Sequence, residues 1–132
     1  MTPAIRTGPV RLLLVDDDDA IRMLLQVTAE YDERFELVAA AGSGSELLEA
    51  VTAAGCDHVD AVVVDVTLPD RDGVELVAEL RALLPSAAIA LFTGWSDPEL
   101  DERARAAGAD CIFTKTTDMR QLFDELVALT AE

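Results

Sequence analysis

Short apolar runs alternate with amphipathic segments five times along this chain. The apolar runs have the length of strands, as in residues 61–65. The segments between them carry apolar side chains at helical spacing, such as Ile21, Leu24, Leu25 and Thr28. Strands that are apolar throughout are usually covered on both faces, as in a parallel sheet. The pattern therefore predicts an α/β fold, a doubly wound five-stranded parallel sheet with helices on both faces.

The same pattern predicts where the elements and the domain begin and end. The predicted strands are residues 11–15, 35–39, 61–65, 89–93 and 111–114. Helix starts are predicted at Ser43 with Glu46, which resemble a capping box, at Asp97 before Pro98, and at Asp118. Residues 1–9 hold two prolines and are expected to form a loose tail, so that residues 10–132 make one domain.

The charge balance excludes several classes of function. The chain has 132 residues, with 26 acidic and 10 basic side chains and a formal net charge of −16. Nucleic-acid binding needs clustered Lys and Arg, which are absent here.

No apolar stretch approaches the ~20 residues that cross a bilayer, and no signal peptide opens the chain. Two cysteines 55 positions apart fit a reducing compartment. We expect a cytoplasmic protein without nucleic-acid or membrane partners.

Polar side chains stand where the predicted strands end. Asp16 and Asp17 follow the first strand, Asp65 ends the third, Thr93 ends the fourth and Lys115 follows the fifth. The carboxyl ends of parallel strands meet at one edge, where open α/β sheets bind ligands. Carboxylates crowded there repel one another unless a cation sits among them. A Mg²⁺ ion suits such oxygen ligands, and the arrangement is typical of phosphoryl transfer to a carboxylate nucleophile.

Four segments make the sequence resemble the receiver domain of two-component response regulators. They are LLLVDDDDAIR, AVVVDVTLPDRDG, ALFTG and AGADCIFTK, in the order and spacing of that family, and the resemblance covers about residues 10–131. It implies a flavodoxin-like sheet with strand order 2-1-3-4-5. It also implies a signalling switch that catalyses only its own phosphorylation and dephosphorylation. Such a protein is not an enzyme that acts on a separate substrate.

The resemblance also implies a role for each residue at the sheet edge. Asp65 would accept a phosphoryl group from a phosphohistidine on a histidine kinase or a phosphotransfer protein. Asp17, Asp65 and the backbone carbonyl of Thr67 would bind Mg²⁺ directly, and Asp16 would act through a metal-bound water. Thr93 would turn toward the phosphoryl group and Lys115 would pair with it. A downstream protein would dock on helix 97–108, strand 111–114 and helix 118–131.

The sequence departs from the family pattern in three places. Thr116 stands after Lys115 where the family usually has proline, so we expect a trans peptide bond there. Ile112 stands where the family often has an aromatic residue, and Phe113 is expected to face the other side of the sheet. Trp95 follows Thr93 by two positions and is a candidate cover for the site.

Two other functions remain compatible with these residues. One is an interaction module with the same fold that works without phosphorylation. The other is a Mg²⁺-dependent phosphatase with an aspartyl nucleophile, although such enzymes of the haloacid-dehalogenase type need an acid where this chain has Thr67. The fourth helix has a thin apolar face formed by Leu100, Ala104 and Ala107, which predicts that this helix and the strand after it respond most to phosphorylation.

Overall fold

The predicted strands and helices all form in the computed structural model, which describes residues 8–55, 58–116 and 118–130. The strands are β1 (Val10–Val15), β2 (Phe35–Ala41), β3 (Ala61–Asp65), β4 (Ala88–Thr93) and β5 (Cys111–Thr114). The helices are α1 (Asp19–Glu30), α2 (Gly44–Ala54), α3 (Gly73–Leu83), α4 (Pro98–Ala107) and α5 (Met119–Thr130). The predicted bounds are confirmed for β3 and β5. Strands β1 and β4 begin one residue earlier than predicted, and β2 ends two residues later.

The five strands form one parallel sheet in the order β2-β1-β3-β4-β5. This confirms the predicted fold class and strand order. The register places Asp65 beside Phe92 and Thr93 beside Thr114, so that the polar strand ends lie at one edge. The sheet topology thus assembles the residues that the sequence separates widely.

Side chains of alternating strand residues enter two hydrophobic clusters, one on each face of the sheet. Leu13 and Val15 of β1 belong to the cluster beneath α2, α3 and α4, whereas Leu12 and Leu14 belong to the cluster beneath α1 and α5. All four leucine and valine side chains are buried. The central strands are therefore covered on both faces, which is why they read as continuous apolar runs.

Short polar side chains begin the helices as the sequence predicts. Ser43 accepts a hydrogen bond from the Glu46 N–H, and Asp97 caps α4 with Pro98 in its first turn. Glu46 differs from a standard capping box, because its carboxylate accepts from the Gly42 N–H at 3.0 Å. Asp18 caps α1 and Asp19 lies in its first turn. These acids thus serve the helix end, whose N–H groups need acceptors.

One leucine of the predicted apolar face of α1 is exposed, and so is one leucine of α3. Leu24 of α1 is 53% exposed and Leu83 of α3 is 44% exposed. In α1 the buried stripe contains Leu25 and Ala29, so Leu24 lies beyond its edge. The thin face of α4 is confirmed, because it buries only Leu100 and Ala104.

The remaining expectations concern membrane-spanning segments, the N-terminal tail and the two cysteines. No helix in the described ranges is long and apolar enough to cross a membrane. Gly8 and Pro9 precede β1 and are exposed, whereas the rest of the predicted tail, residues 1–7, lies outside the described residues. Cys111 is a buried free thiol, and Cys56 also lies outside the described residues.

Candidate functional site

Three buried polar side chains stand at the carboxyl edge of the sheet. Asp16 and Thr93 are each 1% exposed, and Asp65 is 2% exposed. Asp16 directly follows β1, Asp65 is the last residue of β3, and Thr93 is the last residue of β4. Burying polar groups is unfavourable without partners. Their concentration at this edge therefore marks it as the candidate site.

Three carboxylates converge there. One carboxylate oxygen from each of Asp16, Asp17 and Asp65 lies within 4.8 Å of the others. Asp16 and Asp65 are buried, whereas Asp17 is exposed. Asp18, although adjacent in sequence, turns away and accepts hydrogen bonds from the N–H groups of Ala20 and Ile21. The structure thus brings together the three acids that the sequence analysis assigned to a metal.

Lys115 bridges the two buried acids. Its Nζ lies 3.1 Å from Oδ2 of Asp16 and 3.3 Å from Oδ2 of Asp65. Burial lowers the pKa of Lys115, but the two carboxylates outweigh burial, and the net shift is upward. The ammonium group therefore stays charged and offsets one of the three negative charges.

The electrostatics favour protonation of Asp65 when no further cation is present. Burial and the neighbouring charge of Asp16 raise the pKa of Asp65 to about 7, although the Thr67 N–H and Lys115 act in the opposite direction. The Thr67 N–H donates to Oδ1 of Asp65 at 3.2 Å. A cation among the three acids would favour the charged carboxylate.

The donor set fits a hard divalent cation. Oδ2 of Asp16 is buried and accepts no hydrogen bond of good geometry, although Lys115 lies close to it. Two further carboxylates stand within 4.8 Å. Carboxylate oxygens such as these, together with water molecules, are the ligands that Mg²⁺ prefers. Thr67, whose carbonyl was assigned as a ligand, lies two residues after Asp65, and that role stays a prediction.

Thr93 faces the backbone of the following loop. Its hydroxyl donates to the carbonyl oxygen of Trp95 at 3.1 Å, and it accepts from the Trp95 N–H at 3.3 Å. The indole-bearing residue is 50% exposed. A Cβ added to Gly94 would meet no atom within 4 Å, so the space beside this loop is open. The predicted contact of Thr93 with a phosphoryl group would require its hydroxyl to leave Trp95.

The loop after Asp65 is shaped by a close backbone approach. The Gly73 N–H donates to the carbonyl of Val66 at 2.9 Å. A Cβ on Gly73 would lie 2.4 Å from the Asp65 carbonyl oxygen, closer than real Cβ atoms come. Between this loop and α4 lies a groove of about 500 Å³ lined in part by Leu68, Trp95 and Leu100. The site therefore has one tightly packed wall and one open wall.

Two of the three departures from the family pattern, at Thr116 and at Ile112, can be examined in the structure. The peptide bond before Thr116 is trans. Ile112 packs on the cluster beneath α4, while Phe113 packs on the cluster beneath α5, as the strand alternation predicts. An aromatic side chain at position 113 therefore points away from the face on which Ile112 lies.

One side chain near the acids, that of Arg22, was not identified from the sequence. Arg22 of α1 donates from Nη1 to the backbone carbonyl of Asp16 at 2.8 Å. It lies within the segment LLLVDDDDAIR, but the spacing alone does not show that its guanidinium folds back onto the loop. His58, by contrast, is an exposed residue before β3.

Comparisons with known proteins agree with this geometry. The family model described as the response regulator receiver domain matches residues 12–127. The transcriptional regulatory protein PdtaR of Mycobacterium tuberculosis is 35% identical, over 99% of this chain and 66% of its own length. This chain therefore spans slightly less than two thirds of that relative. The chemotaxis protein CheY of Halobacterium salinarum is 32% identical, over 88% of this chain and 92% of its own.

Solved structures show the same architecture. A CheY-like response regulator receiver domain protein from Methanospirillum hungatei has a TM-score of 0.82 and 27% identity, over 92% of this chain and 93% of its own. A BeF3-activated receiver domain of DrrB has a TM-score of 0.77 and 25% identity, over 92% of this chain and 97% of its own. The family match extends across most of the sequence and both clusters of the core. The chain belongs to the receiver domain family of two-component response regulators.

Proposed function

We propose that this chain is a phosphorylation-dependent switch in which Asp65 accepts a phosphoryl group from a phosphohistidine. The donor would be a histidine kinase or a histidine phosphotransfer protein in the cytoplasm. The observation that carries the proposal is the buried carboxylate of Asp65, which stands among Asp16, Asp17 and Lys115. A nucleophile, oxygen ligands for a cation and a fixed ammonium group are thus available together.

In the proposed transfer, a carboxylate oxygen of Asp65 forms a bond to phosphorus. The bond from phosphorus to the donor's imidazole nitrogen breaks, and that nitrogen keeps the electron pair. Bound Mg²⁺ would neutralise negative charge on the phosphoryl oxygens. Asp16 and Asp17 would help to hold that ion, and Lys115 would pair with a phosphoryl oxygen. The acceptor must be ionised, and the cation and Lys115 both favour its charged form.

Phosphorylation would reach the surface through Thr93. Its hydroxyl is held by Trp95, and a phosphoryl oxygen on Asp65 would compete as a stronger, charged acceptor. Movement of the hydroxyl would release the loop that leads into α4. We infer that α4, β5 and α5 carry the signal to a downstream protein. Among the described residues of these three elements, the only large apolar side chain that is exposed is Leu129 of α5. Recognition there would therefore rest largely on polar contacts.

Calorimetry and intact mass spectrometry test the proposal directly. Calorimetry should detect Mg²⁺ binding to the chain. Acetyl phosphate with Mg²⁺ should then add one phosphoryl group per chain, and beryllofluoride should change the Trp95 fluorescence. Asp65→Asn should abolish both the added mass and the fluorescence change.

Asp18→Asn is the matched control for this experiment. It makes the same chemical change in the neighbouring loop, but asparagine still caps a helix well. This variant should behave as the parent does. If the parent takes up no phosphoryl group, the phosphorylation-independent interaction module becomes the better interpretation. Hydrolysis of small phosphate esters beyond one equivalent would instead favour the phosphatase.

A further inference from the structure

Arg22 connects the first turns of α1 to the loop that carries the acids. Nη1 donates to the carbonyl oxygen of Asp16 at 2.8 Å, and Nη2 donates to Oδ1 of Asp19 at 2.5 Å. The Arg22 side chain is only 24% exposed although it is charged. It also fills the space beside Gly42, where an added Cβ would lie 3.4 Å from Nη1. The guanidinium is therefore wedged between the loops that follow β1 and β2.

Asp16 is held at each of its polar groups. Its N–H donates to the Ala41 carbonyl at 3.1 Å, and its Oδ1 accepts from the Asp18 N–H at 2.9 Å. Its Oδ2 faces Lys115. Arg22 holds the remaining group, the backbone carbonyl. Because the peptide unit is planar, fixing this carbonyl also fixes the orientation of the Asp17 N–H and Cα.

Asp17 depends on that backbone for its position. Its carboxylate is exposed, and within the described part of the chain it makes no hydrogen bond or ion pair. Yet one of its oxygens lies within 4.8 Å of those of Asp16 and Asp65. No hydrogen bond or ion pair of the Asp17 carboxylate with a described residue accounts for this placement, and the contacts that remain are those of the backbone before Asp17.

We propose that Arg22 is a positioning residue that orients the Asp16–Asp17 peptide and so directs the Asp17 carboxylate toward a cation beside Asp65. This inference rests on the proposed function only in requiring that Mg²⁺ binds to the acids. Arg22 touches neither the cation nor the phosphoryl group. It acts through the carbonyl of the residue before Asp17.

The sign of the effect separates positioning from simple charge. Arg22 is a cation near a site for another cation, so its charge alone opposes Mg²⁺ binding. If charge were its only contribution, removing it would tighten Mg²⁺ binding. If Arg22 positions Asp17, removing it weakens binding. Residues that orient metal ligands through hydrogen bonds typically change metal affinity 10–100-fold.

The experiment measures Mg²⁺ binding by calorimetry for the parent and for Arg22→Ala. We expect the dissociation constant to rise about tenfold in Arg22→Ala. Arg105→Ala is the charge-matched control, because Arg105 is exposed and its guanidinium lies near the carbonyl of Asp110 at the start of β5, the end of the strand opposite to the acids. It should leave the dissociation constant unchanged or slightly lower. Arg22→Lys keeps the charge with a different donor geometry, and it should fall between Arg22→Ala and the parent.

Further readouts distinguish positioning from a general structural role. At saturating Mg²⁺, Arg22→Ala should regain the full beryllofluoride response of Trp95, because the phosphoryl site itself is intact. Without Mg²⁺, exchange of the Asp18 amide, which donates to Oδ1 of Asp16, should accelerate while exchange in β3 stays unchanged. If Arg22→Ala does not fold, Arg22→Lys carries the same comparison.

The outcomes separate this inference from the proposed function. Equal or tighter Mg²⁺ binding by Arg22→Ala, with normal binding by the parent, would overturn the role of Arg22 alone. A parent that binds no Mg²⁺ would overturn the proposed function. A beryllofluoride response that stays low at saturating Mg²⁺ would also count against positioning.

Discussion

Helices α4 and α5 pack on opposite faces of the sheet beside β5, but they are packed unequally. The helix α5 buries Leu122, Phe123 and Leu126, whereas α4 buries only Leu100 and Ala104. Grooves border both helices, one of about 500 Å³ beside the first half of α4 and one of about 600 Å³ between α1 and α5, so the contrast lies in the buried side chains. Segments with few buried contacts open at lower free energy. The comparison predicts that α4 moves more readily than α5, which would suit the proposed release of the loop that holds Thr93.

Only one end of α4 is loosely held. Arg81 of α3 donates from Nε and Nη2 to the carbonyl of Gly108, which caps α4, at 3.0 and 2.7 Å. It also donates from Nη1 to the carbonyl of Ala87 at 2.8 Å and from Nη2 to the carboxylate of Asp110 at 2.7 Å. These contacts hold the end of α4 and the start of β5 together. Motion of α4 should therefore be largest at its first turns.

The largest effect should appear in the reactivity of Cys111, which lies on the α5 side of β5. Burial, with smaller contributions from Glu125 and Asp110, raises the pKa of its thiol from 9.0 to about 12. Because the thiolate reacts, alkylation at pH 8 should be about a thousandfold slower than in the unfolded chain. The rate should rise about tenfold per pH unit up to that value.

Mass spectrometry of a Cys56→Ser variant would follow Cys111 alone. The same protein in denaturant supplies the reference rate. Rapid alkylation of Cys111 in the folded protein would show that the cluster beneath α5 opens readily. This result would contradict the difference in packing between α4 and α5.

The next largest effect should come from shortening one buried side chain in each helix. Phe123 is 1% exposed and its ring lies 5.0 Å from that of Phe35. Phe123→Ala should lower the free energy of unfolding by about 3–5 kcal/mol. Leu100 is a smaller side chain, 4% exposed, on a helix that buries little else, so Leu100→Ala should cost about 2 kcal/mol. Denaturant titrations would measure both values, and equal losses would contradict the comparison.

Two glycines test whether the loop after β3 is more tightly packed than the loop between β4 and α4. A Cβ on Gly73 would collide with the Asp65 carbonyl oxygen and with the backbone of Val66, whereas one on Gly94 would meet open space. Gly73→Ala should therefore destabilise the fold by about 1–3 kcal/mol. Gly94→Ala should change stability by less than about 0.5 kcal/mol. Thermal melts of both variants decide the matter, and a similar loss in both would remove the distinction between the walls.

The smallest effect should come from releasing the held end of α4. Arg81→Ala removes several hydrogen bonds that water can partly replace, so we expect a loss of about 1–2 kcal/mol. Arg103→Ala is the control on α4 itself. Arg103 is 59% exposed and pairs with Asp72 at 3.2 Å, a contact that contributes little. Hydrogen exchange should accelerate near Gly108 only in Arg81→Ala, and acceleration in both variants would argue against the anchor.

The sequence pattern was sufficient for the parallel sheet and for the convergence of the acids, whereas the strand order was implied by the resemblance to the receiver family. Buried strands leave continuous apolar runs, and the parallel arrangement brings Asp16, Asp65 and Thr93 to one edge. The bounds of β2 were less clear, because its last residues are alanines, which favour helices and are uncommon in strands. Leu24 was misplaced because helical spacing alone does not show how wide the buried stripe is.

The missing information concerns contacts that join distant segments. Arg22 and Arg81 look like ordinary charged residues of exposed helix faces, yet both donate to backbone carbonyls in other loops. Every residue has a backbone carbonyl, so no sequence motif indicates which carbonyl will accept such a hydrogen bond. The rotamer of Thr93 is likewise set by the Trp95 loop and not by its position at the end of β4.

The start of α2 has a consequence for the order of folding. The carboxylate of Asp70, in the loop after β3, accepts from the N–H groups of Gly44 and Ser45 at 2.9 and 3.0 Å. These acceptors come from a segment 26 residues downstream of Gly44. Contacts that span long loops form only after their closure entropy has been overcome. The first turn of α2 thus becomes complete only when a later part of the chain has arrived, although its own residues favour a helix from the outset.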